Sequence, residues 1–167
     1  MPGISLYFMQ NQKEVAIVGS GLVGSLLAIF LRKQGHKVTI FDRRPDVRLV
    51  EFSGRSINLA MSNRGWKALR EAGIEDEIRK LALPLDKRAM HVDDKPVYFQ
   101  KYGEDGEAIY SISRGILNRK MIDLAEEAGA EFRFEEKIWD VDLPNAKLYT
   151  GESEKSVWKE YQFDLIF

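Results

Sequence analysis

The sequence predicts an α/β fold in which a parallel sheet is followed by an antiparallel meander. Three observations predict it. A β-branched run, Glu14 to Gly19 (EVAIVG), leads into an apolar segment of helical length and then a second such run, Lys37 to Asp42 (KVTIFD). Strand, helix and strand fit within about 30 residues, the length of a parallel crossover unit. Gly115 to Ala128 repeats apolar residues at helical spacing, and from Glu131 onward the pattern changes to period two.

Residues 1–12 read as a loosely held arm ahead of Lys13. The run Glu14 to Gly19 reads as a buried parallel strand, because both faces of such a strand are covered. The following helix, about Leu22 to Gln34, is apolar nearly all round (Leu22, Val23, Leu26, Leu27, Ile29, Phe30, Leu31), as expected of a helix buried against a sheet. Gly35 supplies its C-cap. Pro45 to Arg55 reads as a loop. Two short helices follow, Arg64 to Ala72 with Trp66 and Leu69 inward and Glu75 to Leu81 with Ile78 and Leu81 inward, separated by Gly73 and stopped by Pro84. Met90 to Phe99 and Glu107 to Ile112 have strand character, joined by the turn-rich Tyr102 to Gly106.

The helix Gly115 to Ala128 places Leu117, Met121, Leu124 and Ala128 on one face, with Gly129 as C-cap. Glu131 to Glu135, Ile138 to Leu143, Ala146 to Thr150 and Val157 to Phe163 then alternate, and the last three predict a meander. The closing DLIF reads as a strand entering a core that lacks its following turn and helix, so the sequence reads as a fragment of a longer protein.

Composition excludes several classes. Lys+Arg 25 against Asp+Glu 26 leaves no strong field to attract nucleic acid or an anionic membrane. With no cysteine, disulfides, thiolate nucleophiles and cysteine zinc sites are all excluded, which fits a cytoplasmic setting. No stretch approaches the roughly 20 apolar residues of a membrane span, and the N-terminus lacks a signal-peptide pattern. His36 and His91 stand apart and suggest no metal site. Ser20, Ser56 and Ser62 have no histidine at meaningful spacing, so a hydrolase triad has no support. Trp66, Trp139 and Trp158 occupy patterned core positions.

The segment that carries chemistry is Gly19-Ser-Gly21-Leu-Val-Gly24. The first glycine permits a tight turn, the second lets a pyrophosphate approach the backbone, and the third lets helix and strand pack closely. The segment follows a strand, opens a helix and has an acid, Asp42, 23 residues after Gly19, placed to accept hydrogen bonds from a ribose. That identifies a dinucleotide. Asp42 suits NAD or the adenosine half of FAD, whereas Arg43 and Arg44 could meet a 2′-phosphate or be solvated loop charges.

Two further segments narrow the choice. Gly54-Arg-Ser-Ile-Asn-Leu-Ala60, continuing Met61-Ser-Asn-Arg-Gly65, and Ser111-Ile-Ser-Arg-Gly-Ile-Leu-Asn118 resemble the class A FAD-dependent aromatic monooxygenases, most closely the branch that hydroxylates kynurenine. The resemblance implies a Rossmann-like FAD-binding fold of the GR2 type, with residues 13–167 forming the N-terminal part of the FAD domain and 84–112 contributing to a substrate-binding sheet. It implies that Gly19, Gly21, Leu22, Val23, Gly24 and Asp42 hold the adenosine diphosphate half of FAD, with Arg43 and Arg44 beside the ribose and adenine. Arg55 and Ala60 would face the flavin side, Arg114 the phosphate and ribityl region, and Ile138 completes the cofactor set. Arg88 and Tyr102 match the pair that binds the carboxylate of L-kynurenine, a guanidinium fork and one directional phenol.

The same resemblance implies NADPH as the reductant of FAD and oxygen transfer through a flavin C4a-hydroperoxide, with no catalytic acid or base in this segment. It implies little activity or FAD affinity for the segment alone. Other class A monooxygenases or flavin-dependent halogenases, a non-catalytic nucleotide-binding module and a nicotinamide dehydrogenase remain alternatives.

Overall fold

A computed structural model describes residues 12–50, 57–93, 95–102, 108–151 and 159–167. Gly54, Arg55, Ser56, Trp158, all of the expected arm but Gln12, and the whole turn after Tyr102 lie outside the described residues. The chain divides into two compact units, the first made of Met1–Ser53 and Asn118–Phe167, the second of Gly54–Leu117.

The first unit is built on a four-stranded parallel sheet. Strand β1 (Glu14–Val18) pairs with β2 (Lys37–Phe41) through helix α1 (Leu22–Lys33), and β2 pairs with β8 (Glu131–Arg133). On its other side β1 pairs with β12 (Leu165–Ile166), Val15 opposite Leu165 and Ala16 opposite Ile166. The DLIF run is therefore a strand of the main sheet, as its composition predicts. The order β12-β1-β2-β8 reverses direction at β1, and ligands of open α/β sheets bind at the strand ends beside such a switch.

Strand alternation sends β1 to two layers. Ile17 turns toward α1, where it meets Gly24, whereas Ala16 packs with Phe41 and Leu148 beneath the meander. The meander is β9 (Ile138–Asp142), β10 (Lys147–Thr150) and β11 (Lys159–Gln162), all antiparallel as expected. Tyr161 of β11 and Phe163 just beyond it set their rings 5.1 and 5.9 Å from that of fully buried Phe41. Burying a side chain of this size contributes about 1.5–3 kcal/mol. Gly35 at φ +89 and Gly129 at φ +93 end their helices in the left-handed conformation that glycine adopts without a steric penalty.

Helix α1 is not buried all round: Ser25, Ala28 and Ile29 are buried, but Val23 is 81% exposed. Burial follows the one stripe that faces β1 and β2, whatever the hydrophobicity of the other side.

The second unit holds a sheet of β3 (Asn58–Met61), β7 (Ile109–Ser113) and β4 (Leu83–Leu85), and a separate hairpin of β5 (Lys87–Met90) and β6 (Tyr98–Lys101). Helices α2 (Asn63–Glu71) and α3 (Glu75–Arg79) cover its core, with Trp66, Leu69 and Ile78 inward. Ser62 caps α2 by accepting the Gly65 N–H. Leu81, expected inward, is 38% exposed because the helix ends two residues earlier. The run Met90 to Phe99 is not one strand: a turn closed by the Lys95 N–H donating to the Val92 carbonyl folds it into the hairpin. Helix α4 (Arg114–Glu127) leads back to the first unit. Among the described residues no helix is long and apolar enough to cross a membrane.

Candidate functional site

The glycine loop sits at the C-terminal end of β1. Gly19 adopts φ +113, and its N–H donates to the Phe41 carbonyl at 2.7 Å, tying the loop to the end of β2. A Cβ on Gly24 would lie 2.1 Å from the Gly19 oxygen and 3.2 Å from Ile17 Cγ2, so only glycine lets α1 approach β1 this closely. A Cβ on Gly21 would meet nothing within 4 Å. Its side of the loop is open, which leaves room for a phosphate.

Gly21 is also the N-cap of α1, with no side-chain cap and no acid in the first turn. The first N–H groups of a helix have no partner within the helix, and the macrodipole places partial positive charge there. An uncapped N-terminus behind an open glycine favours an anion. The donor set and the space both fit the pyrophosphate of a dinucleotide.

Asp42 closes the site from the end of β2. Its side chain is only 5% exposed, yet both oxygens are satisfied. Oδ2 accepts the Ser20 N–H at 3.0 Å, the Ser20 hydroxyl at 2.6 Å and Arg44 Nη2 at 3.0 Å. Oδ1 accepts the Arg44 N–H at 2.9 Å and Nε at 3.1 Å. Burial pushes this carboxyl up, but hydrogen bonds from Arg44 and Ser20 outweigh it and hold the group well below the usual carboxylate range. Asp42 is therefore a permanent anion at neutral pH. Ser20 is the residue that sequence reasoning missed. Considered only as a nucleophile, it is instead a buried latch between loop and acid, and its signal was a small hydroxyl residue between the first two glycines.

The loop beyond Asp42 is anchored twice. The Asp42 N–H donates to the Arg133 carbonyl, and Glu135 and Glu136 N–H groups donate to Arg44 and Asp42 carbonyls. Further on, Arg48 grips Asp46 of its own loop at 2.7 Å and reaches Asp123 at 3.0 Å and Glu126 at 2.6 Å on α4. Arg43 and the side chain of Arg44 remain exposed at the mouth. Ile138, expected to contact the cofactor, is partly buried against the Phe41, Ala16 and Leu148 core.

In the second unit the structure brings together two segments that lie far apart in sequence. Strand β3, carrying the NLA of Gly54 to Ala60, pairs antiparallel with β7, carrying the SIS of Ser111 to Asn118, so that Ala60 opposes Ser111 and Asn58 opposes Ser113. Arg114 follows directly, its N–H held by the Ile57 carbonyl at 2.9 Å and its side chain exposed. On the hairpin, Arg88 and Tyr102 share one face. Arg88 opposes Gln100, and the Tyr102 N–H donates to the Asp86 carbonyl at 3.0 Å, extending the ladder by one pair.

The remaining candidates are structural. Trp66 packs edge-to-face on Tyr110 at 5.2 Å beneath the Arg79 guanidinium. The Trp139 indole donates to the Gly151 carbonyl, and His36 Nδ1 accepts the Lys13 N–H.

Comparison with known proteins agrees with this geometry. A family model described as an FAD binding domain matches residues 12–157. The kynurenine 3-monooxygenase of Christiangramia forsetii is 89% identical over 159 residues, and that of Flavobacterium johnsoniae 64% identical over the same length. Each alignment covers 95% of this chain but only 36% and 35% of the relative, so the chain spans about a third of their length. Among solved structures, a tetrameric form of 2-methyl-3-hydroxypyridine-5-carboxylic acid oxygenase superposes with a TM-score of 0.72 at 19% identity, covering 93% of this chain and 38% of that one. That likeness concerns the fold. The glycine loop at the switch point, its buried acid and the matched span of sequence agree, and the chain belongs to the FAD binding domain family.

Proposed function

We propose that this chain is the cofactor-holding N-terminal segment of an FAD- and NADPH-dependent aromatic hydroxylase that converts L-kynurenine to 3-hydroxykynurenine. The uncapped N-terminus of α1 behind the open side of Gly21 carries the FAD half of this reading. The names of the two relatives support the substrate.

In this reading the N–H groups of Gly21 to Gly24 receive the pyrophosphate, and Gly24 keeps α1 close enough to aim them. Asp42 takes the ribose hydroxyls, with the exposed Arg44 fork giving up one of its carboxylate bonds and turning toward the adenine alongside Arg43. Arg55, outside the described residues, and Ala60 would face the flavin side of the cofactor, and Arg114 would offer five donors to the phosphate and ribityl oxygens. Bound FAD supplies the redox and oxygen-transfer chemistry. Arg88 and Tyr102, within the 84–112 stretch assigned to the substrate sheet, orient kynurenine through its carboxylate.

The test is NADPH oxidation by the purified full-length protein with and without kynurenine, with the product identified by mass. Flavin-dependent oxidation accelerated by kynurenine and yielding 3-hydroxykynurenine is expected. Bound flavin with no response to kynurenine would remove the substrate assignment, and absence of flavin would remove the whole reading.

A further inference from the structure

The hairpin of the second unit holds Arg88 in an unusual way for an exposed arginine. Gln100 Oε1 accepts hydrogen bonds from both Nε at 3.1 Å and Nη2 at 2.7 Å, straight across the strand pair. A carboxylate with two acceptor oxygens is the ordinary partner for this fork; Gln100 instead offers one uncharged oxygen to two of its donors. Asp86 lies on the same face, two residues from Arg88, yet among the described residues Arg88 makes no ion pair. The guanidinium is thus oriented by a neutral group, and among the described residues no ion-paired carboxylate offsets its charge. Its remaining donors are free of protein partners among the described residues, and Tyr98, Gln100 and Tyr102 share its face.

From this we infer that Gln100 is a positioning residue for the substrate carboxylate: it sets the angle of the Arg88 fork while leaving the charge for an incoming anion. The inference rests on the reading of Arg88 as the carboxylate-binding residue. The identity of residue 100 then governs affinity for substrates that carry a carboxylate and leaves those without one unaffected.

The experiment uses the full-length protein and reads kynurenine binding through the perturbation of its flavin spectrum, for Gln100→Leu, Gln100→Glu and Arg88→Met. The decarboxylated analogue of kynurenine serves as control, and flavin content reports folding. Gln100→Leu removes the orienting acceptor and is expected to weaken kynurenine binding about fivefold. Gln100→Glu keeps shape and acceptor but adds a negative charge that offsets that of Arg88, and is expected to weaken it about thirtyfold. Binding of the analogue stays unchanged in both. A purely structural role gives the opposite order, because glutamate preserves the hairpin contact better than leucine. Gln100→Glu as mild as or milder than Gln100→Leu, or equal losses for the analogue, would overturn the inference. Unchanged kynurenine binding in Arg88→Met would instead remove the carboxylate reading on which it rests.

Discussion

Gly21 and Gly24 lie three residues apart in one loop, yet their replacement by alanine should produce different defects. At Gly24 a Cβ would come within 2.1 Å of the Gly19 carbonyl oxygen, where contacts under 3.0 Å are essentially never seen. Relief requires a shift of about 1 Å between α1 and the end of β1, and overpacking of this kind costs about 1–3 kcal/mol. The obstacle is backbone, with no flexible side chain to move, so the upper half of that range applies. At Gly21 the added methyl meets nothing within 4 Å, and φ −75, ψ 178 is an extended conformation that alanine adopts freely. Stability should be unchanged or slightly raised, because alanine restricts the unfolded chain. The methyl would, however, stand where the pyrophosphate approaches. Loss of one or two hydrogen bonds to a charged group, each worth about 1.5–3 kcal/mol, weakens FAD binding about 10- to 100-fold or more. Denaturant unfolding of the FAD-depleted full-length protein, together with FAD titration by fluorescence quenching, separates the two effects. Equal destabilisation by both substitutions, or wild-type FAD affinity in Gly21→Ala, would refute the reasoning.

Other consequences follow from the same geometry. Ser20→Ala deletes the 2.6 Å bond from a buried hydroxyl to Asp42 and should cost about 1.5–3 kcal/mol in denaturant unfolding. The Asp42 carboxyl is held below its unfolded value, so the native chain binds that proton less readily than the unfolded chain. Its contribution is therefore complete above about pH 4 and is lost as pH falls below it. Unfolding free energies measured from pH 6 down to pH 3 should show Asp42→Asn with a shallower acid decline than the parent. Arg48→Met leaves Asp46, Asp123 and Glu126 facing one another without their shared cation, and should open the 45–50 loop to limited proteolysis. Arg48→Lys should restore protection only in part, since an ammonium cannot reproduce the fork.

Local patterns predicted the frame well where local forces decide it. The βαβ unit, the meander and the closing DLIF strand all showed in periodicity, and the loop glycines showed in spacing. Errors arose where tertiary pairing decides the outcome. Asn58–Met61 and Leu83–Leu85 are strands because β7 supplies their partners, not because their residues favour extension. The turn between β5 and β6 was hidden by Val92 and Val97 on either side, although Lys95-Pro96 marks it. The site followed the same division. Glycine identities and the acid at the end of β2 were visible in the sequence, whereas the Ser20–Asp42 latch, the Arg48 clamp and the Arg88–Gln100 pairing join residues 12 to 78 positions apart and required the fold.

In the proposed function this segment grips the adenosine diphosphate end of its cofactor. This grip is tested most directly by comparing FAD with FMN, which carries the same flavin without that end, as ligands of the full-length protein and its Gly21→Ala variant. FAD is expected to bind about 100-fold or more tightly than FMN in the parent, with Gly21→Ala weakening FAD and closing most of the gap. Equal affinity for the two flavins, or a preference for FAD that survives Gly21→Ala undiminished, would contradict it.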